Sequence, residues 1–328
     1  MRLPRRHLVF IDLWSRSLAY SDFIEGFERG FVLISFDKVA MRAYLGGVEP
    51  VLFRLRKEQR LRIWGLGAAD LPEAALRLQT EGCCGGHLCH HMVTAHRDYL
   101  AKYTRRGPDG VARLWQGTPC LLDLTPFADA EAYEKEIRKH SFGYILRETR
   151  KAAKAGYRCR IFDRFAQGDD MRDIEASKLF RSGGPVPQAF VQRFGRGNGV
   201  KGDPWLDAEC PEHWAVDWGV FIEDDGRDRL VGTIVLRRIG NIIRIVSFLG
   251  HADHLSSGAM KLLFVEIARW LLRREDPRVR GVRFVLYGAL EQGGLGLLHW
   301  KRRLLVRPFV FADPVPAGLS LAGGTRRA

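Results

Sequence analysis

Apolar and polar positions change period several times along the 328 residues of this chain. Residues 31–36, 40–45, 51–56 and 61–65 are short runs rich in β-branched, aromatic and leucine side chains, divided by turn residues. Such runs predict strands, and Gly46-Gly47 suits a hairpin between the second and third. Asp70 can cap a helix with Pro72 in its first turn, whereas 82–97 shows no clear period and reads as irregular. Residues 119–124 are a short apolar strand.

A helical period then runs from Asp129 to Ala155, with Gly156 as the stop and Ser141-Phe142-Gly143 as a bend or split. Strand 157–162 and helix 169–180 follow, and the Gly- and Pro-rich stretch 183–207 reads as loop. Strands 218–222 and 230–237 flank the turn residues Asp224 to Arg227, and 241–248 is a third strand. Leu262, Leu263, Ile267, Trp270 and Leu271 repeat at helical spacing within 256–274. Strand 282–287, a short helix 294–304 and strand 308–312 complete the order, and the tail 313–328 is expected to be disordered. The fold class expected is α/β, with helices on a mixed, mostly antiparallel sheet.

Composition narrows the function classes. Hydrophobic residues at 46% and charged residues at 27% suit a soluble enzyme, and no stretch has the roughly 18 uncharged apolar residues of a membrane span. Met1-Arg-Leu-Pro-Arg-Arg-His begins as a signal peptide does, but Asp12 interrupts the apolar run behind it, so a cytoplasmic protein is expected. Six cysteines in a chain this long do not make a disulfide scaffold. The net charge of +14 points to a polyanionic partner such as RNA, CoA or an anionic surface, or else to arginine spread over solvated faces.

Two blocks carry a family resemblance. Thr118-Pro-Cys-Leu-Leu-Asp-Leu-Thr125 precedes a basic helix that ends Leu146-Arg-Glu-Thr-Arg-Lys-Ala-Ala-Lys-Ala-Gly156, and Gly294-Leu-Gly-Leu-Leu-His-Trp-Lys-Arg-Arg-Leu-Leu-Val-Arg-Pro308 precedes the last strand. Together they resemble the FemAB-like branch of the GNAT superfamily. Three antiparallel strands, helix, strand, helix and strand between them is the GNAT order. The resemblance covers about 115–312 and implies tandem GNAT-like domains, a degenerate one at 1–125 and a second at 126–312 with its basic helix at 129–155. It implies transfer of an aminoacyl group from aminoacyl-tRNA to an amine of a small molecule or cell-wall precursor. An acyl-CoA or carrier-protein donor is the alternative, and a non-catalytic RNA- or nucleotide-binding protein is the alternative of another class. The CoA loop of GNAT enzymes, Arg/Gln-x-x-Gly-x-Gly/Ala, is reduced here to Leu255-Ser-Ser-Gly-Ala-Met260, and Gln292-Gly-Gly-Leu-Gly296 matches it in part but after the fourth strand. No cofactor is therefore expected.

The resemblance makes Lys301 of the pair Trp300-Lys301 the group that stabilises an oxyanion or binds the tRNA end; a solvated helix face over a core tryptophan is the alternative. Arg147, Arg150, Lys151 and Lys154 fall at i, i+3, i+4, i+7, and segment 131–160 holds nine Lys/Arg against four acids. One helix can present that stripe, with Arg302 and Arg303, to phosphates. His251 and His254, before the central helix, are candidate general bases, with Asp217, Glu223 and Asp253 behind them. No metal is expected. Cys83, Cys84, Cys89 and His90 are the residues to watch, in a stretch where the Cys/His spacing fits no standard zinc pattern.

Overall fold

In the computed structural model of the chain, residues 49–78, 83–104, 116–178, 180–181, 184–185 and 209–312 are described. The expected strands at 31–36 and 40–45, the Gly46-Gly47 turn and the tail at 313–328 lie outside them.

The frame is a hairpin. Strands β6 (His213–Asp224) and β7 (Arg227–Ile239) pair antiparallel around Asp225 and Gly226, whose φ of 49° and 76° make the left-handed two-residue turn that matches strand twist. Strand β8 (Ile242–Gly250) pairs antiparallel with β7, and helix α6 (Ala259–Arg273) returns the chain to β9 (Phe284–Ala289), parallel to β8. Helix α7 (Leu295–Arg303) leads to β10 (Arg307–Pro308) and β11 (Val310–Phe311). This is the GNAT order that the pattern predicts. With β2 (Pro119–Asp123) and β3 (Arg158–Phe162) the main sheet runs β10-β2-β9-β8-β7-β6-β3, mixed and mostly antiparallel, while β4 (Phe180–Arg181) and β5 (Gly184–Pro185) pair apart from it. Strand β2, just before position 125, thus lies inside the sheet made by later residues.

Alternation along the strands gives the sheet two buried faces. Val285, Leu122, Val216 and Ile243 meet α6 and the helices α3 (Ala130–His140) and α4 (Tyr144–Lys154). Phe284, Leu286, Leu121, Ala215 and Ile242 face the other way, onto helix α2 (His87–Leu100) and the segment 74–78. Helix α5 (Gly168–Ala176) covers Phe221 and Leu230 beside it. Helix α6 buries Leu263, Phe264, Ile267 and Leu271, each worth about 2–5 kcal/mol on truncation to alanine. Asp129 caps α3 by accepting from Ala132 N at 2.8 Å, and Phe142 and Gly143, both at positive φ, split α3 from α4.

Three expectations are corrected. The runs 51–56 and 61–65 are one helix, α1 (Glu49–Trp64): Pro50 suits a first turn, and the good helix formers Arg56 to Arg62 carry it through. Residues 82–97 are not irregular throughout, since α2 begins at His87. Cys89, Met92, Val93, His96 and Leu100 are its buried stripe at i, i+3, i+4, i+7 and i+11. No helix follows Asp70, which closes a 3₁₀ turn at Ala68–Asp70. The chain then runs extended, burying Ala74, Leu76 and Leu78 at period two, and β1 (Glu73–Ala74) pairs parallel with β11. Tertiary burial overrides the cap signal there.

Arg238, 1% exposed, is the main polar tie at the hairpin's open end. Its guanidinium donates to the carbonyls of Gly240 (2.8 Å), Pro211 (2.8 Å), Arg278 (2.6 Å) and Arg280 (2.7 Å). Arg238→Met would remove all four bonds. Trp214 Nε1 still donates to Pro211 O and Arg278 O, but the buried Gly240 O loses this donor, and urea denaturation should show a loss of about 3 kcal/mol. A loss under about 1 kcal/mol would mean that these bonds do not hold the turns together.

Candidate functional site

Helix α4 lies along the end of the molecule where α6 begins. Ile145, Leu146, Thr149 and Ala152 face the core, which leaves Arg147, Arg150, Lys151 and Lys154 exposed on the outer side. At its first turn Tyr144 collects cations from three separate elements. Arg303 of α7 stands 5.0 Å from the ring centroid, Lys261 of α6 5.3 Å and Arg147 of α4 5.7 Å. Glu148 partly offsets them, its carboxylate 3.9 Å from Lys261 Nζ. An aromatic face ringed by cations can stack a base or ring while the side chains hold phosphates.

Further along α4 the Glu148 carbonyl abuts the turn that opens α6. Gly258 there has φ 87°, and a Cβ on it would lie 2.7 Å from Glu148 O. Tyr157, just past the helix, meets His254, Oη to Nδ1 at 2.7 Å. Burial holds the His254 imidazole below its usual pKa, with His251 and Arg229 adding to the shift, so it is neutral at pH 7. The His251 ring is 5.6 Å from that of His254, and its Nδ1 accepts from Asp253 N at 3.4 Å. The structure therefore gathers Arg147, Lys261 and Arg303 on Tyr144 at the first turn of α4 and pairs His254 with Tyr157 and His251 past its last turn, about 20 Å along. Tyr144, Tyr157 and Lys261 are partners that the sequence analysis did not single out. Arg150 Nε donates to Leu146 O within its own helix, and Arg302 Nη1 reaches Ile63 O of α1 at 3.3 Å. Asp217, a reserve base, is 1% exposed and held bidentate by Arg164 at 2.5 Å.

Lys301 is not on a solvated face. It is 2% exposed and donates from Nζ to Ala289 O at 2.8 Å, at the end of β9. Burial pulls its ammonium pKa down, while Cys120 and Glu291 push it up. Glu291, fully buried, accepts from Thr118 N at 3.0 and 3.2 Å. Arg60 clamps the same loop through Leu290 O (2.5 Å), Gln292 O (3.0 Å) and Gly293 O. Trp300 packs edge-on against Phe248 at 5.7 Å.

A second chemistry-bearing place on the α2 face had no sequence signal. Arg244 lies 3.2 Å and Lys102 3.5 Å from the Tyr99 ring centroid, and the Tyr99 and Tyr103 hydroxyls are 3.4 Å apart. Burial alone would raise the Tyr99 pKa, but Arg244 and Lys102 outweigh it and bring it down to about 8. His96 beside them is held neutral, first by burial and then by Arg244. A phenol poised near neutrality among cations is a candidate proton carrier.

At the other end of α2, three thiols and an imidazole converge, from Cys83, Cys89, Cys210 and His213. Cys84 Sγ touches Cys89 Sγ at 3.2 Å, and His90 is exposed. Among the described residues no helix is long and apolar enough to cross a membrane.

No family model matches the sequence, and no curated protein matches it. Among solved structures it is similar to the C-terminal DUF2156 domain of an Agrobacterium fabrum protein named as a lysylphosphatidylglycerol synthetase. The identity is 15%, over 53% of this chain and 46% of that one, with a TM-score of 0.31. It is also similar to L-PGS from Bacillus licheniformis, with 15% identity, 53% and 45% coverage and a TM-score of 0.28. The match thus spans less than half the length of either.

The Tyr99 geometry has a testable pH consequence. An unfolded tyrosine ionises near about pH 10, while the folded chain ionises Tyr99 near 8. The folded state gives up this proton first, so the stabilisation is complete above the unfolded value and is lost as pH falls through 8. Tyrosinate absorbance should show one phenol titrating near 8, absent in Tyr99→Phe and moved upward in Arg244→Met. An unchanged titration in Tyr99→Phe would assign that proton elsewhere.

Proposed function

We propose that this chain is an acyltransferase that moves an aminoacyl group from aminoacyl-tRNA to an amine of a small molecule or cell-wall precursor. The observation that carries it is the convergence of Arg147, Lys261 and Arg303 on Tyr144, continued by the exposed stripe of Arg150, Lys151 and Lys154. This arrangement supports side-chain contact with a phosphate backbone and stacking of a terminal base on Tyr144. The loop before α6, where a CoA pyrophosphate would sit on backbone N–H groups, reads Leu255-Ser-Ser-Gly-Ala-Met260 and lacks the basic or amide residue of the CoA pattern. That departure favours the tRNA donor over acyl-CoA.

His254 fits the base that an ammonium acceptor needs. If its Nδ1–H is donated to Tyr157 Oη, Nε2 is left as a neutral proton acceptor. Lys301 Nζ spends one of its three N–H donors on Ala289 O, and at 2% exposure it meets an oxyanion only if the packing over it opens. Substituting it would therefore lower stability together with turnover, unlike the nearly unchanged folding that a surface lysine would give.

Charged tRNA should bind with an affinity that falls steeply with salt, by a log–log slope of roughly 0.7 to 0.9 for each phosphate neutralised. Arg147→Ala and Arg303→Ala should each reduce that slope by about one without changing the unfolding midpoint, since both side chains are exposed. Salt-insensitive tRNA binding beside tight acetyl-CoA binding in calorimetry would reverse the donor. Salt-dependent binding with no transfer to any amine would reduce the chain to an RNA-binding protein.

A further inference from the structure

We infer that Cys83, Cys89, Cys210 and His213 form a structural zinc site that fastens the approach to α2 onto the start of β6. The three Sγ atoms and the nearest imidazole nitrogen all lie within 4.8 Å of one another. A tetrahedral site with Zn–S near about 2.3 Å and Zn–N near about 2.0 Å has ligand–ligand edges of roughly 3.5–3.8 Å. Nδ1 of His213 is 3.4 Å from Cys83 Sγ and 3.7 Å from Cys210 Sγ, so the spacing fits the metal with little movement.

The surroundings are those of a ligand set. His213 is fully buried and its Nε2 lies 2.9 Å from Leu78 O, a bond that fixes the proton on Nε2 and leaves the Nδ1 lone pair facing the sulfurs. Gly85 N donates to Cys83 Sγ at 3.4 Å, an N–H···S bond that steadies a thiolate. Cys89 and Cys210 are 3% and 4% exposed. Three thiolates on a dication leave one net negative charge, and the Arg238 guanidinium, bound to the Pro211 carbonyl between Cys210 and His213, stands close enough to offset it.

The chemistry selects the ion. Soft thiolates with one imidazole favour zinc over hard cations, and four protein ligands with no open position mark a structural rather than a catalytic site. The neighbouring Cys84 is exposed, and its Sγ stands 3.2 Å from that of Cys89, well beyond the roughly 2.05 Å of a disulfide. The spacing Cys83-x₅-Cys89 with Cys210-x₂-His213 joins stretches more than a hundred residues apart. It thereby ties the approach to α2, at whose far end Tyr99 meets Arg244, to the start of β6.

The full chain, purified without metal-affinity resin or chelator, should contain one zinc per molecule by mass spectrometry. Cobalt exchanged into it should show the intense visible bands of tetrahedral Co²⁺ and a thiolate-to-cobalt charge-transfer band. Cys210→Ser and His213→Ala should lose the metal and melt at lower temperature, while Cys84→Ser should keep both metal and melting point. If the first two fail to fold, the metal content and cobalt spectrum of the unaltered chain still decide the matter. Zinc-free protein from zinc-replete cells would overturn the inference. So would a Cys84–Cys89 disulfide in non-reducing peptide maps, another metal in place of zinc, or equal loss of metal from Cys84→Ser.

Discussion

Strands β8 and β9 pair over only three residues, Ile242 to Arg244 against Phe284 to Leu286, and beyond that point they part. Strand β8 continues with β7, and β9 continues with β2, so one sheet divides into two diverging halves. Side chains span the division in place of backbone bonds: Phe248 stacks on Tyr287 at 5.3 Å, and Trp300 closes on Phe248 from α7. The position of α7 follows from that packing. With it comes Lys301, whose ammonium closes the end of β9 through Ala289 O, beside the Glu291 carboxylate and the Arg60 clamp. Charges this deeply buried are tolerated because each finds a carbonyl, an N–H or an opposite charge; removing one member leaves the others unpaired.

The same constraint arranges the outer face. Residues two apart on α7 point to opposite sides, so Lys301 turned inward places Arg303 outward, over Tyr144. Helix α4 reaches that spot because Phe142 and Gly143 end α3 at positive φ and redirect the chain across the first turn of α6. Cations contributed by three elements then share one ring. None of them is more than ordinary surface charge by itself, and exposed pairs contribute little to stability. Their value lies in a shared direction toward a polyanion.

On the α2 face the order of dependence differs. Helix α2 touches the sheet through Met92, Val93 and Leu100, and chemistry-bearing groups stand at both of its ends. One end meets Cys210 and His213 at the start of β6; the other stacks Tyr99 under Arg244 of β8. Arg238 links the first of these to the sheet by holding Pro211 and Gly240 together.

By itself the sequence determined the regular part of the C-terminal fold. The strands at 218–222, 230–237 and 241–248, which the fold lengthens to 213–224, 227–239 and 242–250, the helix carrying Leu263 to Leu271 and the turn at 224–227 are written in local periods and turn residues, which need no distant partner to be recognised. It also determined the outward basic stripe of α4, because Ile145, Leu146, Thr149 and Ala152 mark the opposite face. It misled where burial by distant residues decides the state. Leucines in 51–65 read as strand until Leu61 finds the α3–α6 core, and 71–78 is drawn extended by β11 and the sheet face. Only the tertiary structure decided that Lys301 is buried and Arg303 exposed, since that depends on which side of a short helix meets the diverging strands. It alone joined Cys83 and Cys89 to Cys210 and His213, since no local period links residues that the fold carries from opposite ends of a hundred-residue excursion to one point.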